Sequence, residues 1–164
     1  MLLVLLLGLG CAPRVTPPVV ADPLKPPAGQ AVLFRAHAQG AQIYECNGRE
    51  WVLKAPDAEL RGEHGEPIGK HYAGPTWEGA DGSKVVGELR QRAPAPAPDA
   101  VPWLLLQAKS TAGAGRFGRV TYIQRVDTTG GKAPASGCDG EHAGAAARVG
   151  YTATYYFYGG ERQQ

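Results

Sequence analysis

The feature that most constrains the fold of this 164-residue chain is a strict two-residue alternation near its end, in residues 150–158. A repeat of two is that of an extended strand, whereas a helix repeats every 3.6 residues. The segment is therefore predicted to be a strand with two distinct faces. One face carries Tyr151, Ala153, Tyr155 and Phe157, and the other carries Thr152, Thr154, Tyr156 and Tyr158.

Six further segments are rich in β-branched and aromatic residues and are bounded by Gly, Pro, Asn or Asp, which is typical of strands. They are residues 32–38, 42–46, 50–53, 84–92, 101–109 and 119–126. The run 103–106 is apolar on both faces and is predicted to be a buried strand, and only residues 143–148 look briefly helical. With 23 glycines and 14 prolines spread along the chain, we predict an all-β fold, a single-domain antiparallel β-sandwich or barrel.

The N-terminus predicts export. An apolar run ends just before Cys11 and is too short to span a bilayer, so residues 1–11 are interpreted as an export signal, 12–29 as a proline-rich linker and 30–160 as the all-β domain. Lipidation at Cys11 and simple cleavage both stay open, because Gly8 stands where a lipoprotein signal usually has Leu, and no Lys or Arg precedes the run. The expected location is the periplasm, the outer membrane as a lipoprotein, or the medium.

The net charge and the cysteine content limit which partners, crosslinks and metal sites the sequence predicts. The net charge is only +2 with acids and bases interspersed, so we expect no nucleic acid, and membrane contact only through a lipid at Cys11. In an oxidising compartment Cys46 and Cys138 are predicted to form a disulfide, the alternative being two separate buried thiols. Neither cysteine has a partner at zinc-ligand spacing, and no metal site is predicted.

One glycine-rich motif imitates a nucleotide-binding loop. Residues 113–118 spell a dinucleotide fingerprint, but that fingerprint works at the start of a helix, and here a strand pattern follows at 120–123. A hairpin turn is the better interpretation. No cofactor is expected.

The segment 69–83 holds the densest set of polar and aromatic side chains between turn residues. One possibility is acid–base chemistry, with a histidine as base and a carboxylate as acid or orienting group. Another is stacking of a sugar-like or aromatic ligand on Trp51, Tyr72 and Trp77. The third is that the tryptophans are core and the polar residues only pin turns. The candidate ligand-binding residues are His71, Tyr72, Trp77, Glu78 and Asp81, with Tyr44 and Arg125 as lesser candidates.

A series of short motifs from about residue 30 to residue 158 resembles a known family. They include the stretches 42–46, 69–78, 81–83, 102–106, 120–125 and 129–134. In this order they are similar to the domain of unknown function 3455 family of exported bacterial and fungal proteins. The resemblance implies export and brings no activity with it.

These observations favour an exported cell-envelope module with a binding or structural role, and a carbohydrate or other small molecule is the ligand to be tested. The alternative is a hydrolase or lyase acting on envelope or extracellular carbohydrate, with His71 as base and Glu78 or Asp81 as acid or orienting group. The two hypotheses differ in one geometric requirement: the enzyme needs all three side chains in one pocket.

Overall fold

The computed structural model describes residues 14–160. The predicted export signal, including Cys11, lies outside the described residues. Within them the chain forms eight strands: β1 (Gln30–Cys46), β2 (Trp51–Arg61), β3 (Pro67–Tyr72), β4 (Thr76–Gly79), β5 (Lys84–Ala93), β6 (Trp103–Ala112), β7 (Tyr122–Gly130) and β8 (Ala146–Gly160).

Each strand pairs antiparallel with its neighbours in sequence, and β8 returns to β1, so the sheet closes into a barrel. The predicted all-β single domain is confirmed, and of the two architectures the structure is the barrel. Residues 113–118 lie in the connection between the antiparallel strands β6 and β7, as the hairpin interpretation requires, although a short 3₁₀ helix occupies Arg116–Arg119 before β7 begins.

The helical expectation for residues 143–148 is wrong. A short 3₁₀ helix occupies Gly140–His142, and β8 begins at Ala146, where the chain pairs with the end of β1. Strand pairing overrides the helix preference of the four alanines in this segment, which Gly144 already weakens. Within the part of the chain that the structure describes, no helix is long and apolar enough to cross a membrane.

Alternation along the strands fills the barrel interior. The face of β8 predicted from Tyr151 to Phe157 points inward, and all four of its side chains are buried. At one end Phe34 stacks on Phe157 with ring centroids 4.6 Å apart, and Phe117 meets Phe157 edge-on at 5.1 Å. This end, where β6 connects to β7, is closed by aromatic packing. The opposite end receives the β1–β2, β3–β4, β5–β6 and β7–β8 connections.

Part of the predicted linker packs on the outside of the barrel. We call residues 14–24 the N-terminal strap. Leu24 is only 2% exposed, and Val15 and Val20 pack against outer side chains of β7 and β8. The outward tyrosines of β8, Tyr156 and Tyr158, are therefore buried although they do not face the interior.

The N-terminal strap also helps to explain why residues 103–106 of β6 are all apolar. Leu104 and Leu106 pack with the interior core, whereas Trp103 packs with the outer cluster against which the strap lies. The strand is thus covered on two sides, as its sequence predicts.

The predicted disulfide is present. Cys46 at the end of β1 is bonded to Cys138 in the β7–β8 connection, across a sequence separation of 92. It ties the longest connection at the open end to the barrel wall.

Candidate functional site

A cavity of about 400 Å³ opens at the end of the barrel opposite the one that Phe34, Phe117 and Phe157 close. Every strand contributes at least one side chain to its lining. Much of the wall is aliphatic or proline. The apolar lining includes Leu53, Pro56, Leu89, Val101, Leu104 and Leu106.

Arg125 brings a positive charge into this cavity. Alternation along β7 turns Ile123 and Arg125 inward, while Gln124 points to the outer wall. The guanidinium is held by the carbonyl oxygen of Pro102, which accepts from Nε at 3.0 Å and from Nη2 at 2.8 Å. The charge is therefore fixed in position by the barrel itself.

His71 lies inside the barrel on β3 and is 3% exposed. Its Nδ1 lies 2.9 Å from the carbonyl oxygen of Thr76. A carbonyl only accepts, so Nδ1 carries the proton and Nε2 keeps its lone pair. Burial, together with a smaller contribution from the charge of Arg125, lowers the pKa of His71 to about 3 although the hydrogen bond to Thr76 opposes the shift. The ring is consequently neutral at physiological pH.

Trp77 forms a wall between the cavity and the core. Its ring stacks on His71 with centroids 4.2 Å apart and an angle of 12°, and it meets Tyr155 edge-on at 5.3 Å. The side chain is 1% exposed. The indole therefore does not offer a free face for stacking a sugar.

Three other polar side chains line the same cavity as Arg125: Tyr44, Tyr155 and Gln42. Tyr44 lines the cavity and donates its hydroxyl to the carbonyl oxygen of Gly131 at 2.6 Å. Burial raises the pKa of Tyr44 and of Tyr155, while the charge of Arg125 opposes the rise in both. Both hydroxyls stay protonated and act as neutral hydrogen-bonding groups.

Gln42 completes the polar set and was missed by the sequence analysis. It lines the cavity from β1, is 2% exposed, and its Nε2 has no hydrogen-bond partner within residues 14–160. A buried amide donor without a partner is unusual in a folded protein. The available signal was its inward register on β1, two residues before Tyr44.

Two candidates lie on the outside of the barrel. Tyr72 donates its hydroxyl to Oε2 of Glu78 at 2.5 Å, and Lys84 Nζ lies 3.4 Å from the same carboxylate. This contact lowers the pKa of Glu78. Glu78 follows the inward Trp77 directly, so strand alternation turns it outward.

Asp81 lies in the turn between β4 and β5, at the closed end. Its Oδ1 accepts from the backbone N–H and the hydroxyl of Ser83, at 2.9 and 2.6 Å, and Oδ2 accepts from the N–H of Arg116 at 2.8 Å. These hydrogen bonds lower the pKa of Asp81 to about 2. The arrangement explains the residue as a turn stabiliser.

The predicted candidates thus divide into two groups. His71, Trp77, Tyr44 and Arg125 line one cavity, while Tyr72, Glu78 and Asp81 lie elsewhere. Trp51 does not line the cavity; its Nε1 donates to the carbonyl oxygen of Ser136 at 2.9 Å. Neither the acid–base set nor the three-ring stacking surface is assembled in one place. Within residues 14–160, no group of three or more His, Cys, Asp or Glu side chains is placed to hold a metal.

The protein is a closed eight-stranded barrel with a cavity at one end. It therefore falls in the class of small β-barrels, whose interior has room for side chains or for one small molecule. The chain belongs to the family described as Protein of unknown function (DUF3455), whose model matches residues 27–159. This confirms the family resemblance found in the motifs. No curated protein and no solved structure gave a significant match.

Proposed function

We propose that this protein is a binding module that holds one small molecule in the cavity at the open end of its barrel. The observation that carries the proposal is the composition of that cavity: apolar walls around a few fixed polar groups, in a volume of about 400 Å³. Ligand sites typically have this size and this combination.

The apolar walls favour a ligand with an apolar body over a bare sugar. Leu53 and Leu89 at the mouth are about half exposed, which offers apolar surface to an entering molecule. The aromatic side chains proposed for stacking a carbohydrate do not meet. Carbohydrate binding stays the weaker form of this proposal.

Binding is also better supported than hydrolysis or elimination. An acid–base reaction needs a carboxylate near the base, and Glu78 and Asp81 are engaged on the outer wall and in a closed-end turn. Among the lining residues, His71 is neutral and its Nδ1 is committed to the backbone.

Export to an oxidising compartment is part of the proposal. The disulfide between Cys46 and Cys138 supports it, because such bonds persist mainly outside the cytosol. We further propose that the protein serves the cell envelope, either anchored through a lipid at Cys11 or released after cleavage.

The proposal is tested with a neutral fluorescent probe, N-phenyl-1-naphthylamine. We expect saturable binding with one site per chain and a rise in fluorescence. Ala55→Trp adds an indole at the cavity lining and is expected to weaken binding at least tenfold. Ala146→Trp makes the same substitution on an exposed position of β8 and should bind like the unmodified protein. Absence of saturable binding, or equal binding by both variants, would contradict the proposal.

A further inference from the structure

We propose that the ligand of this cavity is an organic carboxylate: a molecule with an apolar body and an anionic head group that Arg125 receives. This inference rests on the proposed binding function and specifies its ligand class. It is carried by the charges of the lining, the geometry of Arg125 and the unpaired amide of Gln42.

The cavity lining is positively charged. Arg125, Arg92 and Lys54 line it, and none of its lining residues within 14–160 is an Asp or Glu. Lys54 forms an ion pair with Glu45: its Nζ lies 3.4 Å from Oε1 of Glu45, and both side chains are about half exposed. Arg125 makes no ion pair with any residue in the described part of the chain. The charge inside the barrel therefore lacks a protein counter-ion in residues 14–160.

Arginines on the outer wall of the barrel, unlike Arg125, have carboxylate partners. Arg61 and Arg148 pair with carboxylates of the sheet, and Arg35 pairs with Glu63 in the β2–β3 connection. The same kind of partner is missing where solvent access is lower and an unpaired charge is more costly. An anion supplied from outside satisfies this requirement.

Arg125 is oriented before any ligand arrives. The carbonyl oxygen of Pro102 accepts from Nε and Nη2 together, which fixes the plane of the guanidinium. A guanidinium has five N–H groups, so N–H donors remain on its terminal nitrogens. Two parallel N–H groups match the two oxygens of a carboxylate better than they match a single hydroxyl.

Gln42 supplies an independent second donor. Its Nε2 is buried without a partner in residues 14–160, and the side chain lines the same cavity as Arg125. A carboxylate oxygen accepts several hydrogen bonds, so a head group beside Arg125 can accept from this amide as well, provided that the buried amide turns toward the cavity. A cationic head group satisfies neither residue. The walls formed by Leu104 and Leu106 then contact the apolar body.

The test uses three molecules with one aromatic body and different head groups: 1-naphthylacetate, 1-naphthylacetamide and 1-naphthylmethylammonium. Each is titrated against bound N-phenyl-1-naphthylamine at pH 7. We expect the carboxylate to bind at least about tenfold more tightly than the neutral amide, as charged hydrogen bonds imply, and the ammonium to bind most weakly. Raising the salt concentration should weaken only the carboxylate.

Two matched variants assign the effect. Arg125→Met is expected to remove most of the carboxylate-to-amide preference while the amide affinity changes little, the remainder coming from Arg92 and Lys54 in the lining. Arg90→Met removes the same charge from an exposed position of β5 and should keep the full preference. Retained binding of N-phenyl-1-naphthylamine shows that each variant is folded. If Arg125→Met does not fold, the head-group series on the unmodified protein and on Gln42→Leu decides the question.

The outcomes separate this inference from the binding function. Equal affinity for all three molecules, with the neutral probe still bound, overturns the carboxylate assignment and leaves the cavity as a binding site. A preference that survives undiminished in Arg125→Met overturns the role of Arg125. Failure of the neutral probe and of all three naphthyl compounds overturns the binding function and this inference together.

Discussion

The side-chain amide of Gln124 on the outer wall of the barrel donates a hydrogen bond from Nε2 to the carbonyl oxygen of Leu24, at 2.6 Å. Both residues are buried, and Tyr158 donates its hydroxyl to the other side of the same amide. The N-terminal strap is therefore joined to the barrel by a buried polar contact as well as by apolar packing.

The strap is expected to contribute to stability. Leu24→Ala removes a side chain that is 2% exposed and should lower the free energy of unfolding by about 2 to 4 kcal/mol. Val19→Ala changes a neighbouring residue that is 99% exposed and should be nearly neutral. Urea unfolding measures both. Equal, small effects would show that the strap does not pack in solution.

Loss of the disulfide is expected to be costly. Replacing Cys46 and Cys138 together by Ser should lower the free energy of unfolding by about 2 to 5 kcal/mol, because the unfolded chain regains the freedom of a long loop. Reduction of the unmodified protein should produce the same loss in urea unfolding. Free thiols at both positions in the purified, non-reduced protein would contradict the structure.

Gly87 is expected to be required for the position of Trp77. A Cβ at residue 87 would lie 2.9 Å from the Trp77 ring and 3.1 Å from Leu106. Gly87→Ala should therefore destabilise the barrel by about 1 to 3 kcal/mol and alter tryptophan fluorescence. Gly150→Ala is the control, since a Cβ there has no atom within 4 Å. A neutral Gly87→Ala would show that the wall between core and cavity is loosely packed.

His71 is expected to remain neutral in the folded protein well below neutral pH. Burial lowers its pKa to about 3, whereas an unfolded histidine has a pKa near 6.5, so the unfolded chain binds the extra proton in between. The stability difference between the unmodified protein and His71→Gln should shift against the unmodified protein as pH falls from about 6.5. His64→Gln, at an exposed position, is the matched control. An imidazole NMR signal of His71 that titrates near pH 6.5 would refute this.

Asp81 is expected to affect stability and not ligand binding. Its hydrogen bonds to Ser83 and Arg116 lower its pKa to about 2, below the value of about 3.9 for an unfolded aspartate. The stability they provide is fully present above about pH 4 and is lost as pH falls toward 2. Asp81→Asn should lower the urea midpoint at pH 7 and leave the affinity for N-phenyl-1-naphthylamine unchanged. Weaker binding in a folded Asp81→Asn would return Asp81 to the list of ligand contacts.

The longer strands with clear alternation could be predicted from the sequence, whereas the two short strands that contain glycine and lie close to turn residues could not. The inward face of β8, from Tyr151 to Phe157, follows directly from a period of two. The short strands β3 and β4 were hidden because Gly69 and Gly79 make them look like a loop. A Cβ at Gly69 would lie 2.2 Å from the carbonyl oxygen of Glu78, so the glycine permits close pairing of the two strands.

The candidate site could be predicted only in part, because β3 and β4 were not recognised as strands. Once β3 and β4 are recognised as strands, alternation places His71 and Trp77 inside and Tyr72 and Glu78 outside. Without the strands, all four looked like members of one loop. The register of Gln42 on β1 could show only that it points inward, because an unpaired amide is recognised only when its surroundings are known.

The pairing of β8 with β1 also limits how the protein can meet other proteins. In an open sheet, the outermost strand presents a row of unpaired backbone groups to which another chain can add a strand. Pairing of β8 with β1 removes such an edge along their shared seam. The short β3 and β4 leave two stretches with a strand partner on one side only, residues 51–57 of β2 and residues 87–93 of β5. Both stretches contribute lining residues to the cavity. A chain that adds a strand to this sheet would therefore do so beside the cavity and not along the β8–β1 seam.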